Sequence, residues 1–273
     1  MVTPASLVSL WYVPEGLMLG DLTPFLGIAL GFCFLLGGCF GSFANAAAMR
    51  LVRDESPILP PSRCRFCDKP LGWRENMPLF GWLFLRGRCA CAKFTLPKRY
   101  VMVEWGFALL TAWLAYAVPL IIFAVFCVLN IIIVIALLTD SEAMVLHPPS
   151  LLLGTLIALA AAALIPHWPI HFANALLGMV IGGGMIFLTN ALYRLTRGRN
   201  GFGAGDIWLL GMIGACYGAS SAVLIFFGAS FVGAATGITL ILAKKGKLSS
   251  KLPFGLFLSV VFLLYPALNM LLI

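Results

Sequence analysis

Residues 150–193 read SLLLGTLIALAAAALIPHWPIHFANALLGMVIGGGMIFLTNALY, 44 residues without one Asp, Glu, Lys or Arg. A helix rises 1.5 Å per residue and needs about 20 residues to cross the hydrocarbon of a bilayer. This stretch is long enough to cross twice. Pro166-His167-Trp168-Pro169 stands in its middle and reads as an interfacial turn. The same reading works outward. Residues 101–139 carry one charge, Glu104, and break at Pro119 into two crossings. Residues 207–243 are uncharged and turn near Gly218-Ala219-Ser220-Ser221. Residues 25–49 and 252–273 supply one crossing each. The expectation is an all-α polytopic membrane protein with eight transmembrane helices.

Composition agrees. The chain of 273 residues is 62% hydrophobic and 10% charged, where soluble domains carry about 25% charged residues. Long unbroken apolar runs also argue against an outer-membrane barrel, whose strands alternate apolar and polar residues. The net charge of +8 is clustered: eleven of the 18 basic residues lie at 50–99, three at 194–199 and four at 244–251. Residues 1–49 and 100–193 have none. The positive-inside rule accounts for the three clusters, so no nucleic-acid partner is invoked. An even number of spans separates each pair of clusters. The basic loops are therefore expected in the cytoplasm, with both termini outside. Residues 1–24 lack the basic start of a cleavable signal peptide and are read as an extracytoplasmic segment. Residues 25–49 form the first span, 50–100 a cytoplasmic domain, and 101–273 a region of seven spans.

The cytoplasmic segment contains Cys64 and Cys67, then Cys89 and Cys91. Two close cysteine pairs in a reducing compartment suit a tetrahedral zinc site, and a loop this short gains folding energy from a metal. The alternative is four free thiols. Cys33, Cys39, Cys127 and Cys216 lie in apolar spans and read as packing residues. Asp140 closes the third span and Asp206 opens the sixth, both at cytoplasmic ends. Ionisable groups at such positions are functional candidates. Two carboxylates sharing one proton are the aspartyl-protease device, one activating water and the other polarising a carbonyl. The competing reading is two acids that face water or cap a helix. Gly201, Gly203 and Gly205 precede Asp206 and permit close backbone approach to an extended substrate. Glu142 reads as a solvated loop acid, Glu104 as a partner for a basic residue or a substrate, and His147 as part of a turn with Pro148 and Pro149.

Several of these stretches together resemble the type IV prepilin peptidase family. They are Gly41-Ser42-Phe43-Ala44-Asn45 with Arg50, Cys64 with Cys67, Glu75-Asn76-Met77-Pro78, Trp82, residues 85–89, Arg99-Tyr100, Val103-Glu104, and Gly201 through Asp206 with Leu209-Leu210 and Gly214. The resemblance covers most of the chain after residue 30. It implies a membrane aspartyl endopeptidase of the bacterial inner membrane, with 101–273 as its peptidase domain. It implies cleavage of a short basic leader from prepilin-like proteins at the cytoplasmic face, commonly after Gly, by Asp140 and Asp206. It further implies methylation of the new N-terminus from S-adenosylmethionine, associated with the cysteine domain and the first-span stretch. Asn45, Glu104 and Glu142 are carried as substrate or accessory residues. Three positions depart from the family pattern: Cys89-x-Cys91 is one residue tighter than usual, the acid expected after Asp140 is replaced in His147-Pro148-Pro149, and Trp208 stands where Lys is usual. Other readings are a presenilin-type intramembrane protease, a carrier using the Asp pair as a proton relay, and an inactive paralogue kept for assembly.

Overall fold

The structure is a computed structural model and describes residues 20, 23–58, 63–64, 69–88, 95–166, 168–243 and 252–271. Among them are nine α-helices: α1 (Leu26–Leu51), α2 (Gly81–Phe84), α3 (Arg99–Ala117), α4 (Leu120–Ala143), α5 (Pro148–Leu164), α6 (Phe172–Arg197), α7 (Ala204–Tyr217), α8 (Ala219–Leu242) and α9 (Phe254–Leu271). The eight apart from the single turn of α2 occupy the eight apolar segments. Five of them, α1, α3, α4, α6 and α8, are long and apolar enough to cross a membrane, whereas α5, α7 and α9 are shorter apolar helices. Fourteen residues make α7 roughly 21 Å long, short of the ~30 Å hydrocarbon. It is buried without interruption from Leu209 to Tyr217. A helix apolar on every side belongs inside other helices.

The expected breaks are where local chemistry requires them. Pro119 lacks an amide proton, and α3 ends at Ala117 before it. α6 ends on Gly198, in the left-handed conformation that glycine adopts without penalty. Gly218 has φ +85° between α7 and α8, and Asn174 of α6 accepts the Ala219 N–H at 3.2 Å. His147 is the N-cap of α5 rather than a plain turn residue: its Nδ1 accepts the Ser150 N–H, and Pro148 begins the helix.

The chain divides into two compact units, residues 16–127 and, apart from residues 1–15, 128–273. In the first, α1 and α3 pack through small residues. A β-carbon at Gly37 would fall 2.7 Å from Thr111 Cβ, and one at Gly41 would fall 2.8 Å from Glu104 Cα. Gly37, Gly41 and Asn45 thus lie on the face of α1 toward α3, whereas Phe43 is exposed. In the second unit α7 packs on α6 still more tightly. A β-carbon at Gly178 would collide with the Gly214 carbonyl, one at Gly214 with the Gly178 carbonyl, and one at Gly182 with the Leu210 carbonyl. Glycine is needed here for distance, since only backbone fits against backbone. Met212 of α7 fills the notch at Gly154 of α5, and Tyr217 donates its hydroxyl to the Phe262 carbonyl of α9.

Gly178→Ala and Gly214→Ala should each destabilise the protein by about 1–3 kcal/mol. Gly184→Ala on the same helix, where a β-carbon would meet nothing within 4 Å, should stay within about 0.5 kcal/mol of the parent. Unfolding in mixed micelles by SDS titration checks this; equal effects at all three positions would contradict the packing.

Candidate functional site

Asp140 lies in the last turn of α4, and Asp206 in the first turn of α7. Both belong to the second unit, both are only 5% exposed, and they lie within electrostatic range of each other. A buried carboxylate is costly unless hydrogen bonds replace its water. Each of these has such a bond, in the same form. Asp206 Oδ2 accepts the N–H of Gly203, the N-cap of α7, at 2.9 Å. Asp140 Oδ2 accepts the N–H of Leu256, in the first turn of α9, at 2.8 Å. The first amides of a helix have no partner within it, and the macrodipole favours a negative charge there. Asp140 stands at the unfavourable C-terminal end of its own helix, and α9 supplies the opposite pole.

Three segments converge on the pair. Phe202 packs at a tilt against Phe254 with ring centroids 4.6 Å apart, which ties the glycine stretch to the start of α9. A β-carbon at Gly255 would sit 3.0 Å from Asp140 Oδ2, and one at Gly203 would sit 3.3 Å from Asp206 Oδ2. Gly203 and Gly255 therefore keep side chains away from the carboxylates. Asn190 of α6 anchors the stretch from below. Its Oδ1 accepts the N–H groups of Gly201 and Phe202 at 3.0 and 2.8 Å, and its Nδ2 donates to the Phe202 carbonyl at 3.1 Å. Such a site holds two acids in a fixed relation.

The structure brings Asp140, Asp206, Gly201, Gly203 and Gly205 together. Glu142 is half-buried at the end of α4, and Trp208 is 44% exposed on the outer face of α7. Asn45 and Glu104 belong to the first unit. Glu104 accepts the Leu79 N–H at 2.8 Å and a hydrogen bond from Ser42, and Trp105 Nε1 donates to the Leu79 carbonyl at 3.3 Å. Leu79 has φ +68° and is fully buried against Gly38. Glu104 thus holds a strained backbone residue in place, and among the described residues its partners are Leu79 and Ser42 rather than a basic side chain. Asn45 donates through Nδ2 to the Tyr100 carbonyl at 3.4 Å. Cys64 is buried and its N–H bonds to the Lys69 carbonyl at 2.8 Å. Cys67, Cys89, Cys91 and His167 lie outside the described residues. No cluster of three metal-ligating side chains occurs among the described residues. Cys33, Cys127 and Cys216 are buried as packing residues, whereas Cys39 is exposed on α1.

Leu256, Gly255 and Asn190 are absent from the reading of the sequence. Asn190 carried a signal, being a polar residue inside an apolar run. Leu256 carried none, because every residue but proline offers an amide.

Residues 35–118 match a family described as the bacterial Peptidase A24 N-terminal domain, and residues 127–238 match one described as the type IV leader peptidase family. A protein of Stutzerimonas stutzeri named prepilin leader peptidase/N-methyltransferase is 34% identical over 74% of this chain and 70% of its own length. Proteins of the same name from Myxococcus xanthus and Pseudomonas aeruginosa are 33% and 31% identical, over 78% and 83% of this chain and 63% and 86% of their own lengths. No solved structure matches the chain.

Asn190→Ala should destabilise the protein by about 1–3 kcal/mol, because two amides and a carbonyl lose their partner in a buried setting. Asn190→Asp keeps the acceptor for both amides and should lose less. Unfolding of the two variants in detergent, compared with the parent, checks the order.

Proposed function

The chain belongs to the type IV leader peptidase family, and we propose that Asp140 and Asp206 are the pair with which it cleaves the leader of prepilin-like proteins. It is an inner-membrane, multi-pass protease. The observation that carries the assignment is the matched anchoring of the two buried carboxylates by the amides of Gly203 and Leu256. Each acid has one oxygen fixed by backbone.

Hydrolysis then follows from proximity. One carboxylate takes a proton from water as its oxygen attacks the scissile carbonyl carbon. The other, protonated, donates to the carbonyl oxygen. Collapse of the tetrahedral species breaks the C–N bond, and the leaving nitrogen receives the proton taken from water. The pair acts as one titrating unit, so the roles belong to the pair. Gly201 and Gly203 are exposed beside Asp206 and receive an extended substrate, while the space at Gly205 is filled by Leu146, and the half-buried Glu142 offers a charge to a basic leader. The basic loops face the cytoplasm in this reading, which puts both aspartates at the side from which a leader approaches.

The match of the N-terminal region supports two further assignments. The new N-terminus is methylated, the N-methyltransferase activity that the relatives' name states for them, and S-adenosylmethionine is the methyl donor. Cys64, Cys67, Cys89 and Cys91 hold a structural zinc. Antiparallel bridges at Arg63–Pro70 and Arg88–Thr95 pinch together the ends of the two segments that carry these pairs. Cys64 is already withdrawn from solvent, as a zinc ligand is. Asn45 and Glu104, stitched into the same unit, act as accessory residues that shape it.

Asp140→Asn and Asp206→Asn should each lower cleavage of a prepilin-type substrate by at least about a thousandfold, read as leader loss by mass spectrometry. Either variant cleaving at parental rate would remove the assignment. Elemental analysis should find one zinc per purified chain, and Cys64→Ser should lower that content. Full zinc retention in the variant would exclude Cys64 as a ligand.

A further inference from the structure

Residues 76–85 read NMPLFGWLFL, ten uncharged residues between Arg74-Glu75 and Arg86, inside the segment expected in the cytoplasm. An apolar run of that length is too short to cross a bilayer and suits a buried or re-entrant segment. The structure gives its depth. Leu79 seats on α1 at Gly38, where a β-carbon would fall 2.7 Å from Leu79 Cγ. Gly38 is the thirteenth of the 26 residues of α1. It lies roughly 18 Å along the helix from Arg50, at a rise of 1.5 Å per residue. On α3 the backbone of Leu79 is held by Glu104 and Trp105, more than a turn inside the helix that begins at Arg99. All of these residues belong to the first unit.

Backbone at such a depth needs partners from the protein, because hydrocarbon offers none. It has them. Glu104 Oε2 accepts the Leu79 N–H at 2.8 Å, and Trp105 Nε1 donates to the Leu79 carbonyl at 3.3 Å. The N–H groups of Gly81, Phe84 and Leu85 bond to the carbonyls of Met77, Phe80 and Gly81. An amide in water would need no carboxylate from within an apolar helix. The side chains of the segment, by contrast, turn outward. Phe80, Leu83 and Phe84 are 41%, 49% and 64% exposed. Trp105, bonded to the residue before Phe80, is exposed beside them on α3. Arg74 and Arg86 are exposed at the two ends of the run, and arginine stems lie along apolar surface while their heads stay in a polar layer.

We propose that residues 76–85 form a re-entrant segment of the cytoplasmic leaflet, with Phe80, Leu83 and Phe84 among lipid acyl chains and Arg74 and Arg86 at the headgroup phosphates. Lipid is the occupant because the segment is seated at hydrocarbon depth on two helices that already face lipid. Basic residues at both ends complement an anionic leaflet. The proposal rests on α1 and α3 crossing the bilayer and is independent of the aspartate assignment. The polar domain expected over residues 50–100 is then fastened to the membrane through its centre, as well as through the two helices that bound it.

The test uses the full-length protein in vesicles of phosphatidylethanolamine and phosphatidylglycerol that include a phospholipid with a diazirine on its acyl chain. Light converts the diazirine to a carbene that inserts into adjacent side chains, and mass spectrometry of tryptic fragments locates it. Cleavage after Arg74 and Arg86 releases residues 75–86 as one fragment. Ile58 serves as the comparison, being 71% exposed but next to Pro57, whose carbonyl bonds to Arg50 at the end of α1. Residues 75–86 should carry at least about fivefold more label than residues 54–63, as hydrocarbon depth requires. Label on 75–86 no higher than on 54–63, with Met102 and Leu109 on the exposed face of α3 labelled, overturns the proposal and puts the segment in water. Loss of the label on adding a prepilin-type substrate assigns the face to a protein helix and overturns it equally.

Discussion

Two buried carboxylates need hydrogen-bond donors, and in a bundle of apolar helices few side chains provide them. Helix N-termini do. Gly203 at the start of α7 and Leu256 at the start of α9 each give one amide to one aspartate. This arrangement constrains the rest of the second unit. α7 must begin just before Asp206, α9 must begin beside the end of α4, and a β-carbon at Gly203 or Gly255 would press on a carboxylate oxygen. Backbone amides are also rigid donors, since they move only if the helix moves. The carboxylates are held in a fixed relation before any substrate arrives, the preorganisation that electrostatic catalysis requires.

Precision at the pair is inherited from packing further along α7. A helix of fourteen residues buried along most of its length has its position set by its neighbours. Gly178 and Gly182 on α6, facing Gly214 and Leu210 on α7, bring backbone against backbone, and van der Waals contact at that range tolerates no slippage. Met212 wedges into α5, and Tyr217 ties the far end of α7 to α9. Asn190 extends the same α6 framework to the glycine stretch before Asp206, with three hydrogen bonds from one side chain. One face of α6 thus fixes both the depth of α7 and the shape of the loop that feeds it.

The first unit applies the same physics to a different end. Small residues on α1 admit α3 closely, and the polar groups brought to that interface are satisfied locally. Glu104 and Trp105 hold the backbone of Leu79 from both sides, and its side chain fills the gap that Gly38 leaves. Buried polar residues that act on backbone in this way shape a domain. Glu104 was legible in the sequence as an unusual charge, but its partner, a backbone amide 25 residues earlier, was not.

By itself the sequence determined the apolar segments, their breaks, and the two acids proposed as the hydrolytic pair. These follow from local quantities: the length of an uncharged run, a proline without an amide proton, an ionisable group among apolar ones. Gly-x-Gly before Asp206 was visible for the same reason, since glycine density is a property of the chain. Only the tertiary structure decided what surrounds the acids. Asp140 and Leu256 are 116 residues apart, and the donor is an amide that nearly every residue possesses. Tertiary structure also shortened α7 to a buried helix, because what its apolar residues face depends on α5, α6, α8 and α9, and composition alone makes lipid and protein interior look alike.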